Sequence, residues 1–187
     1  MRSARQGVLA LAEALRSGGG TLAQALTEPG CAPAGTDWDR AGAPQLAACG
    51  PRVAGHEAEY ELLLEMILEG SLLHYGSPRV IDAQDPDLAL LLGDRLYALG
   101  LSRLAELGDL EAVAELADVI SMLAAARAGG DDELADAVWR AGARAIGWGG
   151  GEAHEAAKAL ARAGHQDALR ALETVAGGFA SAKLPTE

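Results

Sequence analysis

Asp82, Asp85 and Asp87 lie close together in the chain. Three carboxylates at such short spacing can hold a divalent cation. Asp131, Asp132 and Asp136 form a second group of the same kind. Both groups also precede a segment with helical periodicity, where a carboxylate caps the free N–H groups and complements the helix dipole. Capping is the simpler reading and a cation site the alternative. Gly147-Trp148-Gly149-Gly150-Gly151 stands before a predicted helix, as a phosphate-cradling loop would. No strand precedes it and no Gly-Lys-Ser/Thr follows, so it reads as a linker. His56, His74, His154 and His165 do not pair with one another at metal-ligand spacing. His74 borders an apolar stripe, a structural position whose alternative is a ligand or substrate contact. Cys31 and Cys49 have neither a Cys-x-x-Cys arrangement nor a neighbouring histidine, and read as incidental thiols. No serine elbow or Cys–His pair is visible, so these residues make no catalytic set.

The elements that would position them are helices. Residues 3–17 predict a first helix, stopped by Gly18-Gly19-Gly20. Thr21 can cap a short second one that ends before Pro29. From Glu28 to Gly55, Pro29, Pro33, Pro44 and Pro51 impose loop, with a short helix at Pro44–Cys49. Tyr60, Leu63, Leu64, Ile67, Leu68, Ser71, Leu72 and Tyr75 then recur at steps of three and four, one continuous stripe on a long helix. Asp85 and Pro86 mark the cap and first position of the next, which runs to about Leu107. That helix is apolar on most sides, as in a bundle centre or a surface covered by a partner chain. A third places Val113, Leu116, Ala117, Ile120 and Ala124 on one face and ends at Gly129-Gly130. Three shorter helices follow, near 133–146, 152–163 and 166–175. The expected fold is all-α, a single-domain helical bundle. Residues 1–55 supply N-terminal helices and loop, 56–180 the core, and 181–187 a tail.

Composition agrees. The 187 residues are 50% hydrophobic but only 4% aromatic, which suits helices packed through Leu, Ala and Val. A net charge of −12 argues against a nucleic-acid backbone or an anionic membrane as partner. The N-terminal apolar run is broken by Glu13 and Arg16, so it predicts an amphipathic helix and not a signal peptide. No uninterrupted apolar stretch is long enough to span a bilayer, and the expected compartment is the cytoplasm.

Leu62–His74 reads LLLEMILEGSLLH, and Leu88–Asp109 reads LALLLGDRLYALGLSRLAELGD. The first resembles the helix of trans-prenyltransferases, the polyprenyl diphosphate synthase superfamily, that carries Ser-Leu-x-His. The second resembles the same family's next helix, where Gly93, Asp94 and Leu96 match Gly-Asp-x-Leu. In active members Asp-Asp-x-x-Asp follows the histidine and holds the Mg²⁺ ions that stabilise a departing diphosphate. Here Tyr75-Gly76-Ser77-Pro78-Arg79 follows, and Asp131-Asp132 lacks a third aspartate at Ala135. The family's Gly-Lys-x-x-Arg-Pro is absent too, with Ala43-Pro44-Gln45 in that region.

Lost motifs and a chain shorter than a full synthase resemble the non-catalytic small subunit of heterodimeric heptaprenyl or polyprenyl diphosphate synthases. The resemblance implies a truncated isoprenoid-synthase-like bundle that is no enzyme on its own. It would bind no cofactor directly, Mg²⁺ belonging to a catalytic partner, and would influence activity or product length in isoprenoid biosynthesis. Ser71, His74 and Tyr75 would line a relic cavity or tunnel, and Leu88, Leu91, Leu92 and Tyr97 would face the partner. The alternative is an accessory or assembly subunit with a relic fold, acting outside prenyl metabolism, as a homodimer for example.

Overall fold

The computed structural model describes residues 2–27 and 42–180; Cys31, Pro29, Pro33 and the tail 181–187 lie outside the described residues. The described chain is all-helical, as composition and periodicity predict. In order it forms α1 (Ala4–Gly18), α2 (Gly20–Gln24), α3 (Ala43–Ala47), α4 (Glu57–Tyr75), α5 (Pro86–Glu106), α6 (Leu110–Ala128), α7 (Asp132–Trp148), α8 (Glu152–Arg162) and α9 (Ala168–Ala180). A 3-10 turn, Pro51–Val53, leads into α4, and an isolated antiparallel bridge joins Leu26 to Ile81. No helix of the described residues is long and apolar enough to cross a membrane.

Side-chain carboxylates set several of the helix starts. Asp85 accepts hydrogen bonds from the N–H groups of Asp87 and Leu88, Asp109 from Ala112, and Asp131 from Leu134. Each satisfies donors that the helix itself leaves free. Ser3 and Gln6 close a reciprocal capping box on α1. Thr21 does not cap α2: the helix begins one residue earlier, at Gly20, with Gly19 outside it. Asp109 does more than cap. It accepts the Tyr60 hydroxyl at 2.7 Å and the Arg52 guanidinium at 3.1 Å, while another Arg52 nitrogen reaches the Ile146 carbonyl at 2.8 Å. The start of α6, the start of α4 and the end of α7 thus meet on one polar knot. These partners hold the Asp109 carboxyl below its usual range although burial pushes the other way.

Two apolar clusters share α4. Tyr60, Leu63, Leu64 and Ile67 join α6, α7 and the later helices, including Leu116, Val119, Trp139, Ile146 and Leu172. Met66 and Leu73 join α1 and the start of α5, including Leu11, Leu15, Leu92 and Leu96. The central helix is therefore α4. The density of leucines in α5 fits a bundle centre or a partner-covered surface, and of these α5 is not the centre: Leu88, Leu90 and Leu91 are exposed at 36%, 44% and 66%. The inner face of α6 also differs from the stripe expected. It runs through Ala112, Glu115, Leu116, Val119, Met122, Leu123 and Ala126, and Ala117 is exposed. Glu115 points inward, which a purely hydrophobic pattern cannot register.

Backbone contact fixes α7 against the segment after α3. A Cβ on Gly50 would lie 2.0 Å from the Gly147 carbonyl oxygen, and one on Gly147 would lie 2.5 Å from that of Ala47. Backbone atoms cannot rotate aside, so Gly50→Ala should cost about 3 kcal/mol through overpacking. Gly18→Ala, where an added methyl meets nothing within 4 Å, is the control and should stabilise by roughly 0.5 kcal/mol through helix propensity. Urea unfolding of the two variants checks the contrast.

Candidate functional site

Segments 62–74 and 88–109 meet each other. Gly70 faces Gly93, while Ile67 and Leu63 face Gly100, so α4 and α5 run antiparallel at close range. A Cβ on Gly93 would lie 2.7 Å from the His74 ring, and one on Gly100 would lie 2.8 Å from Ile67 Cδ1. The His74 ring stacks on Tyr97 with centroids 5.3 Å apart and planes 4° apart, and its Nε2 lies 3.1 Å from Asp94 Oδ1. Burial pushes the Tyr97 phenol up to about 12. Ser71 is buried and Leu96 fully so. Ser71 and His74, expected at the mouth of a cavity, are packed into this seam. Tyr75 turns outward at 42% exposure, with its ring 5.5 Å from that of His74.

On another face of α4 stand Glu61, Glu65 and Glu69, with exposures of 4%, 1% and 0%. Burying one carboxylate without partners costs several kcal/mol, so three demand compensation. Arg79 supplies most of it. Its Nη2 lies 2.7 Å from Glu65 Oε2 and its Nε 3.0 Å from Glu69 Oε2. Burial opposes the Arg79 charge, and the two glutamates more than restore it. Glu69 Oε1 also accepts the backbone N–H groups of Arg79, Val80 and Ile81, at 2.7, 2.8 and 3.3 Å. Gln45 Nε2 donates to Glu65 Oε1 at 2.6 Å and Glu61 Oε1 at 3.2 Å, and Arg2 reaches Glu61 Oε2 at 3.3 Å. Gly7 makes room: a Cβ there would lie 2.2 Å from Gln45 Nε2. Sequence reasoning missed this group. Its signal is an acidic residue at every fourth position inside the run ELLLEMILEG.

A third cluster lies between α6 and α8. There a cleft of about 370 Å³ is lined by Glu115, Asp118, Glu155, Lys158 and the loop Gly149-Gly150-Gly151. Lys158 is buried, and its Nζ lies 2.7 Å from Glu115 Oε2, 2.8 Å from Asp118 Oδ2 and 2.7 Å from Glu155 Oε1. Burial disfavours its charge, but the carboxylates outweigh that and raise its pKa above the ordinary lysine value. His154 Nε2 stands 2.7 Å from Glu115 Oε1. Glu115, His154 and Glu155 gather ligand atoms within 4.8 Å of one another, a donor set that suits a divalent transition metal. The Lys158 ammonium already bridges two of those three residues, so the arrangement works as an internal ion cluster. His154 has no sequence-level partner because Glu115 lies on a helix far away in the chain.

The remaining predicted residues resolve individually. Asp85 and Asp131 cap helices, and Asp132 and Asp136 pair with Arg127. The glycine cluster ends α7 and begins α8, with Gly147 in backbone contact with Ala47. His56, His165 and Cys49 are exposed. Among the residues expected to face a partner, Leu88 and Leu91 are exposed and Tyr97 packs on His74. Leu92 is corrected: at 2% exposure it belongs to the core shared with α1. No family model, curated protein or solved structure matches the chain.

Replacing Arg79 by Met should cost about 3–5 kcal/mol, because Glu65 and Glu69 would lose their counter-charge while staying buried. Adding Glu65→Leu should recover part of the loss, as chemical denaturation of the single and double variants would show. The α6–α8 cluster predicts a pH dependence. Burial pushes Glu115 up, but His154 and Lys158 outweigh it and hold its folded pKa below the ordinary 4.5. Its contribution is therefore complete above that ordinary value and lost as pH falls through the lower, folded one. Melting temperature should drop less steeply for Glu115→Gln than for the unaltered chain as pH is lowered from about 5 to 3, although the variant starts lower.

Proposed function

We propose that this chain is a non-catalytic partner subunit of a polyprenyl diphosphate synthase. It pairs with a catalytic chain and influences that chain's activity or product length. One observation carries the reading: the segments that resemble the family, 62–74 and 88–109, form a single antiparallel helix pair. Their shared residues Gly93 and His74 lie against one another in its seam, and exposed Asp94 stands at its edge, 3.1 Å from His74 Nε2. The residues that stand where active members hold metal support a non-catalytic role. Tyr75 faces outward, and Arg79 turns inward as the cation of a buried ion pair. Leu88 and Leu91 on the outer side of α5 offer the partner an apolar surface. The Mg²⁺ and both aspartate-rich motifs belong to the catalytic chain, and the complex acts in isoprenoid biosynthesis in the cytoplasm.

A second reading draws on the packing of Ser71 and His74. Side chains held in a helix seam are well placed to support an accessory or assembly subunit outside prenyl metabolism.

Co-expression with a chain carrying both aspartate-rich motifs separates the two. The first reading expects a stable complex whose rate or product length differs from the catalytic chain's own. The pure subunit, given Mg²⁺, an allylic diphosphate and isopentenyl diphosphate, should elongate nothing. Recovery of a homodimer alone, without effect on any synthase, would favour the second reading, and robust elongation by the pure chain would overturn both.

A further inference from the structure

The cluster between α6 and α8 holds one group more than an ion pair needs. Glu115 and Asp118 stand three residues apart on α6, and His154 and Lys158 four apart on α8, so each pair shares a face of its helix. Gly149 and Gly151, at φ 89° and 113°, turn the chain between α7 and α8 in a region of backbone space that favours glycine. The first turn of α8 thereby meets α6. Facing helices of a bundle build metal sites from side chains at such spacings.

Lys158 accounts for the carboxylates but not for His154. That ring is buried, and its Nε2 lies 2.7 Å from Glu115 Oε1, while Lys158 takes Oε2 of the same carboxylate. Glu115, His154 and Glu155 each bring one ligand atom to a space in which all three lie within 4.8 Å of one another. Asp118 stands outside that trio, and Arg162 pairs with it as well. Lys158 can therefore keep Asp118 while it releases Glu115 and Glu155. An ion also has a way in. The Glu155 side chain is 61% exposed, and the cleft of about 370 Å³ borders Glu115, Glu155 and Lys158. The net charge of −12 draws cations towards the chain.

We propose that Glu115, His154 and Glu155 bind one divalent transition-metal ion, of which zinc is the type, in exchange for the Lys158 ammonium. The ion bonds to His154 Nε2 and to one oxygen of each glutamate. Nε2 gives up its hydrogen, which passes to Nδ1 or to solvent. Lys158 stays charged and turns to Asp118 and the cleft. Three protein ligands leave a further position on the cleft side for water. The imidazole favours such an ion over Mg²⁺, which prefers oxygen ligands. The bound ion would pin α8 to α6, and the site stands apart from the partner-subunit reading.

Titration calorimetry of the full, chelator-treated chain with zinc chloride tests the site. One equivalent should bind and raise the melting temperature, since a ligand held by the folded chain stabilises it. Magnesium chloride in excess should not compete. Glu155→Gln, at an exposed position and so compatible with folding, should weaken zinc by roughly tenfold or more, and His154→Gln likewise. Lys158→Gln, which removes the competing cation, should tighten it by a similar factor. Cobalt(II) offers a second readout: its visible absorption bands should appear with the unaltered chain and fade in Glu155→Gln and His154→Gln. Absence of zinc binding would overturn the proposal. So would zinc held elsewhere, at exposed Cys49 for example, which Glu155→Gln and His154→Gln would leave unchanged. Equal affinity in Lys158→Gln would overturn the exchange.

Discussion

Three carboxylates on the central helix leave the surrounding chain little choice of arrangement. Glu61, Glu65 and Glu69 lie where α1, α3 and the segment after α4 close over them, so each must find donors there. Arg79 meets two of them, and the loop that carries it is drawn under α4. Once there, Val80 and Ile81 give their N–H groups to Glu69, their side chains join the cluster around Leu11, and Ile81 bridges to Leu26. Gln45 spans Glu61 and Glu65 and seats α3, and Gly7 lets α1 approach closely enough to cover them. A buried pair of this kind is not in itself a strong source of stability, because desolvation offsets most of its attraction. Removing either partner strands a buried charge.

Arg79 brings a positive charge that points inward. Gln45 is likewise committed to α4. In the α6–α8 cluster Lys158 takes up Glu115, Asp118 and Glu155 together. In each place the polar groups are satisfied by one another, an arrangement suited to holding shape.

Much of this architecture was legible because it is local. The starts of α5 and α7 follow from Asp85 with Pro86 and from Asp131, each acting within its own first turn. The stripe from Tyr60 to Tyr75 announces α4. What could not be read depends on contacts across the chain. Leucine density in α5 fits a buried centre and a partner-covered surface equally; its outer leucines are exposed, while α4 accepts glutamates on its second buried face. Hydrophobic periodicity treats a glutamate as a solvent marker, and for Glu65, Glu69 and Glu115 that assumption fails. Arg79, Gln45 and Lys158, which reverse it, stand 10 or more positions away. His154 was passed over for the same reason. At the candidate site, the motif residues were identifiable by type, but only the fold could reveal that His74 lies against Gly93 and Asp94.

The short separation of Glu69 and Arg79 bears on the order in which the chain acquires its shape. The partners are only 10 positions apart, and loop closure over so short a span costs little entropy. Contacts of that range are open early, whereas Glu115 and His154, 39 residues apart, must wait for α7 and α8. The helix α4 and the loop beneath it can therefore act as a nucleus.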